Sequence, residues 1–342
     1  MRTCFPAPLR PGDRIGVTAP SSGVADALRP RLDFCVEHLR SLGYDVVLGE
    51  CLKDGDGVVS APAPQRAAEL TAMLTDPQIR AVVPPWGGEL AVELLPHLDL
   101  VALRDAEPTW LVGWSDLSTL LLPLTLVTGW ATLHGGNLME TPDAVPEPLL
   151  HWLELAGAPA GSSVVQGAAA AHAPAGWQDW AGDPTTTRRP WTEPSSWRLL
   201  DAAAGPLRTG GRLVGGCIET ISTLPGTAYG DVRAYGRAAG ALVLYLEAAE
   251  AGSLSIARDL WRLRLAGWFD SATAVLVGRT AAPGEQGFTQ QDAVRSAMAG
   301  LDVPVVLDVD CGHVPPQLAL VNGAYAEVVV DGEEQTICQT LA

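Results

Sequence analysis

The stretch Thr109-Trp110-Leu111-Val112-Gly113-Trp114-Ser115-Asp116, followed at once by the apolar run Leu117 to Thr128, decides how this chain reads. Thr109 to Val112 has the character of a short buried strand, and Leu117 to Thr128 has the length and apolarity of a buried helix. A serine on the tight turn between two such elements has its hydroxyl thrust out of the sheet. The helix start behind it offers free N–H groups to a developing negative charge. A Ser-Asp pair that merely caps a core helix is the plainer reading of the same residues, and such caps are common. Choosing between nucleophile and cap takes the rest of the chain.

Working outward, strands and helices alternate. Arg14 to Ala19 reads as a strand running into the turn Pro20-Ser-Ser-Gly, and Arg31 to Leu42 as a helix closed by Gly43. Asp45 to Leu48 is strand-like, Pro64 to Leu74 helical, and Ala81 to Val83 a short buried strand. Pro84-Pro-Trp86-Gly87-Gly88 then leads into an expected helix over Glu89 to Leu95, and Ala131 to His134 adds a further strand. This alternation predicts a parallel sheet with helices on both faces. Ligands of such sheets bind at the carboxyl ends of the strands. The turns after Ala19, Val83 and Val112 all lie at such ends, so they are expected to converge.

From Gly157 to Gly211 the chain is rich in Ala, Gly, Pro and Thr, has little periodicity, and carries Trp177, Trp180, Trp191 and Trp197. It is too long for a plain connector, and its tryptophans argue against disorder. They either pack the segment onto the protein or present a stacking surface to a flat ligand. Beyond it, strand-like Ala241 to Leu246 ends in Glu247, and helical Ser253 to Leu265 follows. Strand-like Thr273 to Val277 and Val303 to Leu307 flank a helix at Thr289 to Ala299, with short β segments at Gln317 to Val321, Ala324 to Val330 and Gln335 to Gln339. The expected organisation is an α/β domain over residues 1–155, a tryptophan-rich segment over 156–210, and a second, mixed domain over 211–342.

Composition narrows the function. The chain has 342 residues, 47% of them hydrophobic and 18% charged, as a globular protein with a large core does. A net charge of −17 excludes binding to nucleic acid or an anionic membrane by bulk electrostatics. The most apolar stretch, Leu117 to Leu133, is shorter than a membrane span and contains Pro123. Six scattered cysteines without a C-x-x-C pair argue against a zinc cluster or disulfide framework and fit a reducing cytoplasm. No metal or other cofactor is expected.

A nucleophilic serine needs a base and a carboxylate to hold it. Of the six histidines, His134 closes a strand in Leu-His-Gly-Gly, and His313 sits in the tight turn Asp310-Cys-Gly-His-Val-Pro-Pro. For the carboxylate, Glu247 ends a buried strand, where an unpaired acid is expensive, while Asp308 and Asp310 are rivals in the histidine's own turn. Spacing leaves these choices open. Asp116 N–H and the Gly87-Gly88 turn are candidate oxyanion donors.

Taken in order, these pieces resemble the LD-carboxypeptidase family of serine peptidases, which includes the microcin C self-immunity peptidases. The resemblance rests on Leu9 to Ser22, Gly113-Trp-Ser115-Asp, Leu133-His-Gly-Gly, Arg212-Leu-Val-Gly-Gly-Cys217, Leu244-Tyr-Leu-Glu247 and Gly312-His313. It implies a Ser115-Glu247-His313 triad, oxyanion donors at Gly88 and Asp116, and a homodimer without metal. It also implies an N-terminal three-layer α/β domain with a parallel sheet, flavodoxin-like or glutamine-amidotransferase-like. The C-terminal α/β domain would have a small β-barrel-like or swivelling core. Of the two subgroups, one trims D-alanine from murein tetrapeptide, and the other cleaves a peptidyl or aminoacyl nucleotide and has a longer aromatic inter-domain segment. The tryptophan-rich segment leans to the second, with Trp177, Trp180 and Trp191 as substrate contacts. Glu89 in Trp86-Gly-Gly-Glu89 replaces a usual aromatic, and Cys217 replaces a usual asparagine, so both are expected to affect specificity. The rival readings are a ligand-binding homologue that has lost turnover and an amidotransferase-like enzyme, which would want cysteine at position 115.

Overall fold

The computed structural model describes every residue except 1, 2, 54, 56 and 175. Six strands form the first sheet, in the order Leu320–Asn322, Thr132–His134, Trp110–Gly113, Ile79–Val82, Arg14–Val17, Asp45–Leu48. Five of them run parallel, as the alternation predicts. The sixth is different: Leu320–Asn322 returns from the far end of the chain and pairs antiparallel with Thr132–His134.

The second sheet has eight strands. Leu207–Cys217, Leu242–Glu247, Ala272–Gly278 and Val305–Val309 lie side by side and parallel. Tyr325–Asp331, Glu334–Thr340 and Ser163–Gly167 extend it antiparallel on one side, and Arg198–Leu199 on the other. The ends of the tryptophan-rich segment are thus stitched into this sheet. Its middle closes on itself through the pairing of Ala171–His172 with Glu193–Pro194. Strands of two to five residues are too short for periodicity to mark them.

The helix after Ser115 is continuous but not uniform. A 3-10 turn at Ser115–Leu117 passes into α turns at Ser118–Pro123 and a π turn at Leu124–Thr128, which ends at left-handed Gly129. Pro123, which has no N–H to donate, sits at the seam between α and π. All six residues of Ser118–Pro123 are buried. Leu120, Leu121 and Leu122 join a core that runs into Val214 and Leu244 of the second sheet and Ile218 of the helix that follows its first strand, so this helix is wedged between the two sheets. The helix expected over Glu89 to Leu95 is instead a 3-10 segment, Ala91–His97, interrupted by Pro96. Its first N–H is taken by the side chain of Asp116, which ties it to the serine turn. Among the described residues, no helix is long and apolar enough to cross a membrane.

Candidate active site

The residues on which the sequence reading turned meet at the carboxyl ends of both sheets. Ser115 has φ 63, the left-handed region that non-glycine residues seldom enter. Its neighbours hold it there. Buried Trp114 donates its backbone N–H to Asn137 Oδ1 at 3.2 Å and its indole N–H to Glu140 at 2.6 Å. Buried Asp116 accepts from Ser21 Oγ at 2.5 Å and from Ala91 N–H at 2.7 Å. The helix cap position is taken by Trp114, without a side-chain bond, so Ser115 is not a cap. Its hydroxyl lies 3.1 Å from His313 Nε2.

His313 is aimed by its turn. Gly312 has φ 106, and a Cβ there would lie 2.6 Å from Glu247 Cβ, so both backbone conformation and space require glycine. His313 Nδ1 then lies 2.8 Å from Glu247 Oε2. Glu247 is fully buried at the end of its strand. The rival acids are engaged elsewhere. Asp308 pairs with Arg198, and Asp310 binds Trp197 Nε1 at 2.8 Å, Ala169 N–H at 3.0 Å and Arg279 at 3.1 Å. The other histidine candidate, His134, is fully buried against Tyr245, neither ring nitrogen has a hydrogen-bond partner among the described residues, and burial pulls its pKa down to about 4.

The electrostatics of the pair are opposed. Burial pulls His313 down most strongly of any single cause, but the charge and hydrogen bond of Glu247, with Glu219 and Glu140, together lift the ring above its ordinary value. Burial pushes Glu247 up most strongly of any single cause, but the charge and hydrogen bond of His313, with His134 and the Cys217 thiol, together hold the carboxyl below the ordinary range. Burial and the nearby Asp116, Glu250 and Glu219 raise Glu89.

Ser115 and His313 open onto a cavity of about 470 Å³, a size that suits a small molecule. Gly88 and Asp116 border the serine in it, and a Cβ at Gly87 would sit 3.0 Å from Asp116 N, so this glycine turn packs directly on the serine turn. Trp177 is 65% exposed and stands over Trp114 at 6.4 Å and edge-on to His313 at 6.0 Å. Trp180 also lines the cavity but is buried, its ring under the Arg31 guanidinium at 5.0 Å. Glu89 and Cys217 lie on the cavity wall. Trp191 does not; it lines a smaller neighbouring pocket with Arg189 and Pro315.

Sequence reading missed the residues that hold the tryptophan segment. Arg31 is fully buried, binds Asp143 at 2.9 Å and Met139 O at 2.6 Å, and donates to the carbonyls of Pro184 and Thr186. It also missed Glu219 on the cavity wall, whose Oε1 accepts the N–H groups of Ala249, Glu250 and Ala251. A helical arginine and a glutamate in the first turn of a short helix carry no local signal of such roles. No lysine or arginine is among the described residues that line the cavity, whereas Glu89, Glu140, Glu219 and Glu250 are.

Comparison with known proteins gives the family and the fold. Residues 15–135 match the model of the LD-carboxypeptidase N-terminal domain, and residues 210–328 that of the LD-carboxypeptidase C-terminal domain. A protein of Vibrio cholerae named as a carboxypeptidase is 26% identical over 328 residues, 94% of this chain and 93% of its own. The microcin C7 self-immunity protein of Escherichia coli is 25% identical over 345 residues, 97% of this chain and 95% of its own. A structure of microcin C7 self-immunity protein in complex with aspartyl sulfamoyl adenosine superposes with TM-score 0.83 at 22% identity, covering 98% of each chain. With both family domains matched in order, the chain belongs to the LD-carboxypeptidase family of peptidases.

Proposed function

We propose that the protein is a serine hydrolase that cleaves an amide-type bond of a peptidyl or aminoacyl nucleotide through an acyl-enzyme. The observation that carries this reading is the chain of contacts from Ser115 Oγ to His313 Nε2 at 3.1 Å and from Nδ1 to Glu247 at 2.8 Å, opening onto the cavity. As Ser115 Oγ attacks the carbonyl carbon, His313 Nε2 takes its proton, and Glu247 stabilises the imidazolium and fixes its tautomer. The oxyanion rests on the N–H groups of Gly88 and Asp116. Collapse breaks the bond to the leaving group, which receives the proton from His313. Water, deprotonated by the same ring, then attacks the ester and frees Ser115.

One feature favours the nucleotide conjugate over a murein tetrapeptide. Trp177 presents an exposed ring beside the serine, and base-on-aromatic stacking is worth roughly 1–3 kcal/mol. The E. coli relative's structural counterpart binds an aminoacyl sulfamoyl adenosine, in keeping with this choice. We further infer a homodimer in a reducing cytoplasm; a monomer in sedimentation equilibrium overturns the first part.

The test is mass-spectrometric turnover of an L,D-linked murein tetrapeptide and an aminoacyl-sulfamoyl adenosine side by side, with Ser115→Ala as the blank. Cleavage of the nucleoside conjugate supports the proposal. Release of D-alanine alone would make the protein a murein carboxypeptidase and leave Trp177 without its role.

A further inference from the structure

The geometry points to a second use of the same residues: Cys217, Glu247 and His313 form a three-ligand site for a thiophilic divalent cation of the zinc class, whose occupation switches off the Ser115 hydroxyl. The inhibitory half rests on His313 being the base of Ser115; the binding half does not. Cys217 and Glu247 are the last residues of neighbouring parallel strands and stand opposite each other in register. The His313 turn closes over them, and one ligand atom from each of the three residues falls within 4.8 Å of the other two. Residues 30 and 66 positions apart in sequence are thus assembled without any C-x-x-C motif.

The chemistry of the donor set suits such an ion. A thiol, an imidazole and a carboxylate are ligands that zinc accepts, at about 2.3, 2.0–2.1 and 2.0–2.2 Å respectively. Ligand atoms around a tetrahedral ion at those distances stand about 3.5 Å apart, so the cluster closes on an ion by at most about 1.3 Å at its widest pair. Glu247 Oε2 holds His313, and the buried carboxylate has the Cys217 thiol as its other neighbour, so the three donors already meet before an ion enters. Access exists, because Cys217 and His313 both line the cavity. Binding forms a sulfur–metal bond and releases the thiol proton to solvent.

Either ring nitrogen leads to the same result. Bound through Nε2, the lone pair that faces Ser115 is spent on the metal. Bound through Nδ1, the ring's one remaining proton is forced onto Nε2, which can no longer accept from Ser115. A side chain at position 217 without a soft donor would lack this response.

The experiment uses the full chain with Cys4→Ser and Cys338→Ser, which removes the two thiols that are not buried. Cd²⁺ is titrated in while the thiolate-to-cadmium absorption band is followed. One equivalent should bind with the band. Cys217→Ala and Cys217→Ser, two variants so that a folding defect in one does not decide the matter, should lose it and weaken binding by roughly a hundredfold or more. Ser115→Ala should keep it. In parallel, saturating Zn²⁺ should slow labelling of Ser115 by a serine-directed phosphonate, with recovery on chelation and no slowing in either Cys217 variant. A band that survives loss of Cys217, or labelling indifferent to Zn²⁺, overturns the inference. Absence of labelling in metal-free protein sinks the nucleophile reading instead, and is distinguishable because the cadmium band is read independently.

Discussion

The turn that carries Ser115 and the segment that carries Trp177 border the same cavity, yet they are held in different ways. Ser115, Glu247 and His313 are placed by backbone: two strand ends and a turn in which Gly312 approaches Glu247 closely. The tryptophan segment has short strands at its ends and middle but is placed over the cavity by side chains. Arg31 and Arg189 clamp it through Asp143, and Asp310 binds Trp197 and Ala169. Backbone ladders hold atoms within the narrow limits that proton transfer needs. A face that stacks on a ligand tolerates more play, and a charge clamp with short strands is enough for it. If this division is real, variants in the two regions should fail in different ways.

Glu247→Gln should have the largest effect, lowering kcat roughly ten-thousandfold by favouring the wrong tautomer of His313 while leaving KM within a few-fold. Steady-state kinetics on the cleaved substrate check this, and an unchanged kcat would break the comparison on the backbone side. Next, Arg31→Ala removes a fully buried cation and leaves Asp143 with Arg189 as its remaining partner, so unfolding in urea should show a loss of up to about 3–5 kcal/mol. A kcat falling as far as in Glu247→Gln, with stability intact, would mean that the clamp belongs to the chemistry. Trp177→Ala, at an exposed position, should raise KM about tenfold with kcat retained and no loss of stability.

The smallest effect is on pH. His313 must be neutral to act as base, and its folded pKa lies above the ordinary value of about 6.5. The acid limb of kcat/KM should therefore fall with its midpoint above that value, and Glu247→Gln should move what activity remains toward lower pH. The stability terms run oppositely. The raised His313 contributes below its unfolded pKa and loses that contribution as pH rises through the folded one. The depressed Glu247 contributes above its unfolded pKa and loses it as pH falls through the folded one.

The difference between the regions also governs what could be read from the residues alone. Ser115, Glu247 and His313 were legible as candidates because strand ends and glycine-flanked turns leave local marks. Choosing Glu247 over Asp310 was not possible from spacing, because the choice depends on Trp197, Ala169 and Arg279 having taken Asp310. A three-residue strand does not encode which sheet edge it will join, so the return of Leu320–Asn322 to the first sheet was illegible. Trp177, Trp180 and Trp191 look alike in sequence. Only their neighbours separate an exposed ring by the serine, a buried ring under Arg31, and a ring in another pocket. Arg31 itself reads as an ordinary surface charge of a helix, since burial of an arginine depends on partners more than a hundred residues away.

The most direct test of the proposed mechanism is intact-protein mass spectrometry after exposure to a serine-directed phosphonate, with the adduct mapped by proteolysis. The account predicts a single adduct on Ser115 that disappears in His313→Ala and forms far more slowly in Glu247→Gln. No adduct on folded protein, an adduct on another residue, or equal labelling after His313 is removed would contradict it.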